Sequence, residues 1–137
     1  MKSLVLDAST ALAFCLADER GDISKPALRQ LQESMLLVPA HWWIEITNAL
    51  LQAGRRKRIT AAEREDCFQL LMELNLKVVD MSPHVITEEV LQLAELYKLT
   101  GYDACYLHIA VQQQIPLATL DKALQSAAKL SNISVLN

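Results

Sequence analysis

Ser3-Leu4-Val5-Leu6-Asp7 opens the chain with a short, unbroken apolar run that ends on an acid. The run does not alternate between apolar and polar residues, so it reads as a strand buried on both faces, the mark of a parallel sheet covered by helices. In such a sheet all strands finish on one edge, and ligands bind beyond that edge where the strand order reverses. Asp7 follows the strand directly and is therefore expected on it.

Similar runs recur at Leu36-Leu37-Val38, Leu76 to Val79, Leu117-Ala118-Thr119 and Val135-Leu136. Between them lie helical patterns: Ser9 to Ala17 and Pro26 to Ser34, His41 to Ala53 and Ala61 to Leu74, Pro83 to Leu99 and Tyr102 to Gln114, then Lys122 to Lys129. Pro26 suits an opening helical turn, and Gly54 and Gly101 fall where helix ends call for a left-handed residue. Alternating strands and helices predict an α/β fold with right-handed crossovers, in one domain over residues 1–137. The basic run Arg55-Arg56-Lys57-Arg58 falls in a helix-to-helix turn and reads as solvated, with a phosphate contact as the alternative.

Composition narrows the class. Apolar residues make up 52% of the 137, enough for a packed core, and no run approaches a bilayer span. A soluble, unprocessed, cytoplasmic protein is expected. The three cysteines, Cys15, Cys67 and Cys105, are odd in number and form no C-x-x-C pair, so buried free thiols are expected rather than disulfides or zinc. A net charge of −3 argues against a protein that simply coats nucleic acid, although an acidic metal site carries charge that bound cations offset.

Chain direction gathers more acids beside Asp7. Asp121 comes two residues after Thr119, at the end of the fourth strand. Glu45 lies little more than one turn into the helix that follows the second strand, and that helix starts on the same edge. Asp103 opens the helix that runs back into the fourth strand, so it too lies there. Each acid alone has an ordinary explanation. Asp7 suits a turn, Asp103 and Asp121 suit helix caps, and Glu45 suits a solvated helix position. Together they are harder to dismiss. Glu45 stands among Trp42, Trp43, Ile44 and Ile46, where an unpaired carboxylate is costly. Clustered carboxylates also raise one another's pKa unless a cation neutralises them. Hard oxygen donors suit Mg²⁺ or Mn²⁺ and support attack of an activated water on a phosphodiester.

The same segments resemble the motifs of PIN-domain nucleases. Val5-Leu6-Asp7-Ala8-Ser9 is similar to their opening, Trp42-Trp43-Ile44-Glu45-Ile46-Thr47-Asn48-Ala49-Leu50 to the second motif, Tyr102-Asp103-Ala104 to the third, and Thr119-Leu120-Asp121-Lys122-Ala123-Leu124 to the fourth. Length and layout look most like VapC-type toxins of toxin–antitoxin pairs. The resemblance implies a five-stranded parallel sheet in order 3-2-1-4-5. It also implies an Mg²⁺- or Mn²⁺-dependent endoribonuclease acting on RNA, a homodimer, and a VapB-type antitoxin as partner. Asp7, Glu45, Asp103 and Asp121 match the acidic cluster that holds metal directly or through water, and Ser9, Asn48 and Thr119 match its supporting positions.

Other readings fit less well. A Rossmann fold or P-loop needs a glycine-rich turn after the first strand, and Gly21, Gly54 and Gly101 are not placed for one. An aspartyl-nucleophile phosphatase wants a second acid where Ser9 stands, and a response receiver wants a lysine after the last strand. A nuclease processing RNA or DNA without a toxin role, and a catalytically silent assembly partner, remain as alternatives. His41, His84 and His108 share no ligand spacing; His41 reads as a helix start and His108 as a packed core or interface residue. Of Trp42 and Trp43, one is expected in the core and the other at a dimer contact.

Overall fold

A computed structural model describes residues 1–137 throughout. Five strands, β1 (Ser3–Leu6), β2 (Met35–Pro39), β3 (Leu76–Val79), β4 (Leu117–Ala118) and β5 (Val135–Leu136), form one sheet in order β3-β2-β1-β4-β5. All neighbours run parallel, with Val5 opposite Leu37 on one side and Leu117 on the other. β1 is therefore the central strand, which explains its unbroken apolar run: Leu4, Val5 and Leu6 are all buried. β3 is an edge strand and exposes Lys77 and Val78, a charged edge that discourages pairing with another chain.

Seven helices connect the strands: α1 (Ala8–Cys15), α2 (Lys25–Glu33), α3 (Trp42–Arg55), α4 (Ala61–Met72), α5 (residues 83–97), α6 (Gly101–Gln113) and α7 (Lys122–Leu130). Right-handed crossovers place the β1→β2 and β2→β3 connections on one face of the sheet. There α1, α3 and α4 pack on one another. The later connections turn back across the sheet, so α5, α6 and α7 cover the opposite face, with α6 lying against β1 and β2. From Ala104 to Ala110 every residue of α6 is buried, as expected of a helix apolar on all sides.

Local chemistry sets the boundaries. Ser24 Oγ accepts the Ala27 N–H at 3.2 Å to start α2, with Pro26 in its first turn. Thr60 and Glu63 form a reciprocal capping box at the start of α4. The helix expected over Pro83 to Leu99 forms, but it widens to a π-turn at Ile86–Val90 and stops at Tyr97.

The glycine expectation is corrected. Gly54 lies inside α3, Gly101 is the first residue of α6, and no glycine has a positive φ. The left-handed positions belong to Lys57, Lys98, Gln114 and Asn132, at φ 53–59°. After each, the next N–H reaches the carbonyl five residues back: Arg58 to Ala53, Leu99 to Ala94, Ile115 to Ala110 and Ile133 to Ala128, at 2.8–2.9 Å in three cases and 3.1 Å at Ile115. This is the Schellman closure, and in three of the four turns an apolar residue follows the left-handed one. Backbone hydrogen bonds and that apolar anchor offset the ~1–2 kcal/mol cost of a left-handed residue with a side chain. The basic turn Arg55–Arg58 is exposed along its whole length, as expected, and Arg58 adds surface ion pairs with Asp18 at 3.2 Å and with Glu19. All three cysteines are buried free thiols, as expected.

Candidate active site

Strand order reverses between β1 and β4, and the acids gather at that edge. Asp7 sits at the N-cap position of α1, yet its side chain caps nothing. Its Oδ2 instead accepts hydrogen bonds from Ser9 Oγ and Thr119 Oγ1, both at 2.7 Å. These hydroxyls are tied down in turn. Ser9 Oγ accepts the Leu120 N–H at 3.1 Å, and Thr119 Oγ1 accepts the Asp121 N–H at 3.1 Å. The end of β1 and the segment after β4 are thus laced together by two hydroxyls and a carboxylate.

Asp121 does cap a helix: its Oδ2 accepts the Leu124 N–H at 2.8 Å and starts α7. Asp103 does not, because Thr100 is the residue that caps α6, accepting the Asp103 N–H at 3.1 Å. Of the three acids expected at turns or helix starts, the cap explanation therefore holds only for Asp121.

Glu45 extends from the first turn of α3 toward α6. Its Oε1 accepts the Tyr106 hydroxyl at 2.7 Å. His41 Nε2 lies 2.9 Å from the same oxygen, in a contact that falls short of a directed hydrogen bond. The His41 ring also packs edge-on against Tyr102 and Tyr106. Glu45, Asp103 and the exposed Asn48 line a cavity of about 320 Å³ together with His41, Thr100 and Tyr102.

The charges interact. Burial pushes the Asp7 carboxyl up from 3.8 to about 6; the Thr119 and Ser9 hydroxyls pull it down, and the Asp103 and Glu45 charges push it further up. Burial likewise raises Asp103, with added repulsion from Asp121 and Glu45. Tyr106 is held far above its ordinary value, first by burial and then by the Asp7 and Glu45 charges, so it remains a proton donor. No three acidic, histidine or cysteine side chains close around a single ion-sized point. The donor set nevertheless suits a hard divalent cation. Asp7, Glu45 and Asp121 each use one carboxylate oxygen on the protein and leave the other without a protein donor. Burial raises Asp7 first, and a cation would offset the repulsion that Asp103 and Glu45 add to it.

The PIN-domain family model matches residues 4–130. This chain belongs to the PIN-domain family. Among curated relatives it is similar to Ribonuclease VapC3 of Pyrobaculum aerophilum, 30% identical over 121 residues that cover 88% of this chain and 91% of the relative. Among solved structures, PAE2754 from the same organism superposes with a TM-score of 0.73 at 26% identity, covering 98% of this chain and 83% of the other. FitAcB from Neisseria gonorrhoeae aligns with a TM-score of 0.60 at 12% identity, over 98% of this chain and 96% of the other, and supports the fold alone. The resemblance to VapC-type PIN domains and the 3-2-1-4-5 sheet are both borne out.

Two residues that the structure brings to this candidate site do not stand out in the sequence. His41 reads there as a helix start, and Tyr106 drew no attention. The available signal was spacing: Tyr106 stands three residues after Asp103 and His41 four before Glu45, one helical turn in each case. His108 is buried, as expected, with Nε2 3.8 Å from Glu89. Trp42 is in the core, and Trp43 packs against that core.

Proposed function

We propose that this chain is a divalent-metal-dependent endoribonuclease of the VapC type, using Mg²⁺ or Mn²⁺ held by Asp7, Glu45, Asp103 and Asp121. The observation that carries this reading is the set of carboxylate oxygens left without protein donors at the strand-order reversal, where burial and mutual repulsion push Asp7 up to about 6. The name of the Pyrobaculum relative, a ribonuclease, supplies the substrate class. A bound divalent ion would lower the pKa of water and offset charge on the scissile phosphate.

The chain's own groups do the rest. Ser9 and Thr119 fix the orientation of Asp7 and keep its Oδ2 occupied. Tyr106 does the same for Glu45. Asp121 is anchored by its cap, and Asn48 lines the cavity where substrate oxygens would be oriented.

Pairing with a VapB-type antitoxin and a homodimeric state belong to the same reading, as does a cytoplasmic location. Exposed Ile44, Ile86, Leu91 and Tyr102 favour association, with Ile86, Leu91 and Tyr102 bordering an apolar cavity of about 780 Å³ beside the site. No helix is long and apolar enough to cross a membrane.

The test is cleavage of RNA by purified protein with Mg²⁺ or Mn²⁺, with chelator, and with Asp7→Asn. We expect cleavage only with metal. Asp7→Asn should reduce it by more than about a hundredfold, since even residues that only support a metal ligand cost about 10–100-fold. Equal rates for Asp7→Asn and wild type, or undiminished cleavage in chelator, would show the site to be misassigned.

A further inference from the structure

The contact between α3 and α6 has a consequence for Glu45. Tyr106 is fully buried, and its hydroxyl donates to Glu45 Oε1 at 2.7 Å. His41 Nε2 crowds the same oxygen at 2.9 Å. Glu45 Oε2 has no protein donor. A glutamate on an open helix face would sample several rotamers, because its side-chain entropy is large. Here one oxygen is tied to a ring packed in the hydrophobic core, since Tyr106 is fully buried there.

We propose that Tyr106 is a positioning residue for the metal site: its hydroxyl claims Glu45 Oε1 and thereby presents Oε2 to the cation. The inference rests on the reading of Glu45 as a metal ligand. The helix geometry ties the pair to Asp103. Asp103 and Tyr106 are one turn apart on α6 and share a face, so the helix that carries one acid also aims the other. Two ligand positions that belong to different crossovers are thereby coupled through one phenol. His41 crowds the same Glu45 oxygen, and its ring packs edge-on against Tyr102 and Tyr106.

The experiment is a double-mutant cycle read by Mn²⁺ binding in titration calorimetry, using full-length wild type, Tyr106→Phe, Glu45→Ala and the double variant. Tyr106→Phe keeps the ring and removes only the hydroxyl. It should weaken Mn²⁺ binding about tenfold, within the roughly 10–100-fold range for groups that orient metal ligands. In the Glu45→Ala background the same change should alter Mn²⁺ binding by less than about twofold, because nothing remains for the phenol to aim. Unchanged Mn²⁺ affinity in Tyr106→Phe while Glu45→Ala is impaired would overturn the role of Tyr106 and leave the metal site standing. An equal loss with and without Glu45 would also overturn it, since a merely structural phenol behaves that way. Wild-type affinity in Glu45→Ala would instead remove Glu45 from the site and this inference with it. If Tyr106→Phe does not fold, the tyrosine near-ultraviolet difference spectrum on adding Mg²⁺ serves, measured in a Tyr97→Phe, Tyr102→Phe background in which Tyr106 is the one tyrosine left. A signal that disappears with Glu45→Ala supports the coupling, and its persistence overturns it.

Discussion

On the sheet side of the site, Asp7 and Thr119 stand at the ends of adjacent strands, and both are buried. Parallel hydrogen bonding already places these ends side by side, and the two hydroxyls that grip Asp7 are held by backbone N–H groups of the next loop. On the helix side, Glu45 and Asp103 line an open cavity from α3 and α6, with the Tyr106 hydroxyl donating to Glu45 and the His41 imidazole beside it. The sheet side is built into the fold and carries the larger desolvation cost, at Asp7, although burial raises Asp103 too. The helix side is wetter and depends on side-chain contacts. A carboxylate fixed in advance is a good ligand but an expensive charge when no cation is present.

The largest expected effect breaks the two sides apart by charge. Asp7 is raised from 3.8 to about 6 in the folded protein. A raised carboxyl favours the protonated fold, so its contribution is fully present below about pH 4 and is lost as pH rises through about 6. A rise of that size corresponds to about 3 kcal/mol of penalty for the ionised, metal-free protein. In chelator at pH 8, Asp7→Asn should therefore be more stable than wild type in urea unfolding, with the gap closing towards pH 4. Glu45→Gln, on the solvated side, should change stability far less. A destabilised Asp7→Asn protein at pH 8 would mean that Ser9 and Thr119 satisfy the charge fully.

Next comes the hydroxyl lacing. Thr119→Val keeps the shape but removes one of the two donors to Asp7 and the acceptor for the Asp121 N–H. Mn²⁺ affinity should fall about 10–100-fold in calorimetry. Asn48→Ala, at an exposed position on the helix side, should leave Mn²⁺ affinity near wild type. Equal losses in the two variants would erase the distinction between the sides.

The smallest expected effect concerns Asp121, which belongs to the sheet side but acts as a helix cap. Asparagine caps about as well as aspartate, so Asp121→Asn should alter stability by less than about 0.5 kcal/mol. RNA cleavage should still fall measurably, because the charge is lost. Cleavage at the wild-type rate would reduce Asp121 to a cap and leave a site of three acids.

Much of this was legible from the chain because strand direction is a local property. The apolar run of β1, the acid after it and the acid after β4 place Asp7 and Asp121 on one edge without reference to packing. Helix direction does the same for Glu45 and Asp103. The helix stops were less legible. Glycine marks the left-handed position by steric permission alone, whereas here hydrogen bonds to carbonyls five residues back impose it on two lysines, a glutamine and an asparagine. The site's supports divide in the same way. Ser9 and Thr119 follow from motif position, but Tyr106 and Glu45 are 61 residues apart and meet only because α3 and α6 approach across the edge of the sheet.

The sequence by itself determined the parallel α/β order of elements, the edge on which the acids stand and their hard-oxygen chemistry, because periodicity and chain direction are written residue by residue. Only the tertiary structure decided which oxygen of Asp7, Glu45 and Asp121 is occupied, which acid is a cap, and that burial raises Asp7. Those properties depend on distances between side chains from different elements, and packing alone sets such distances.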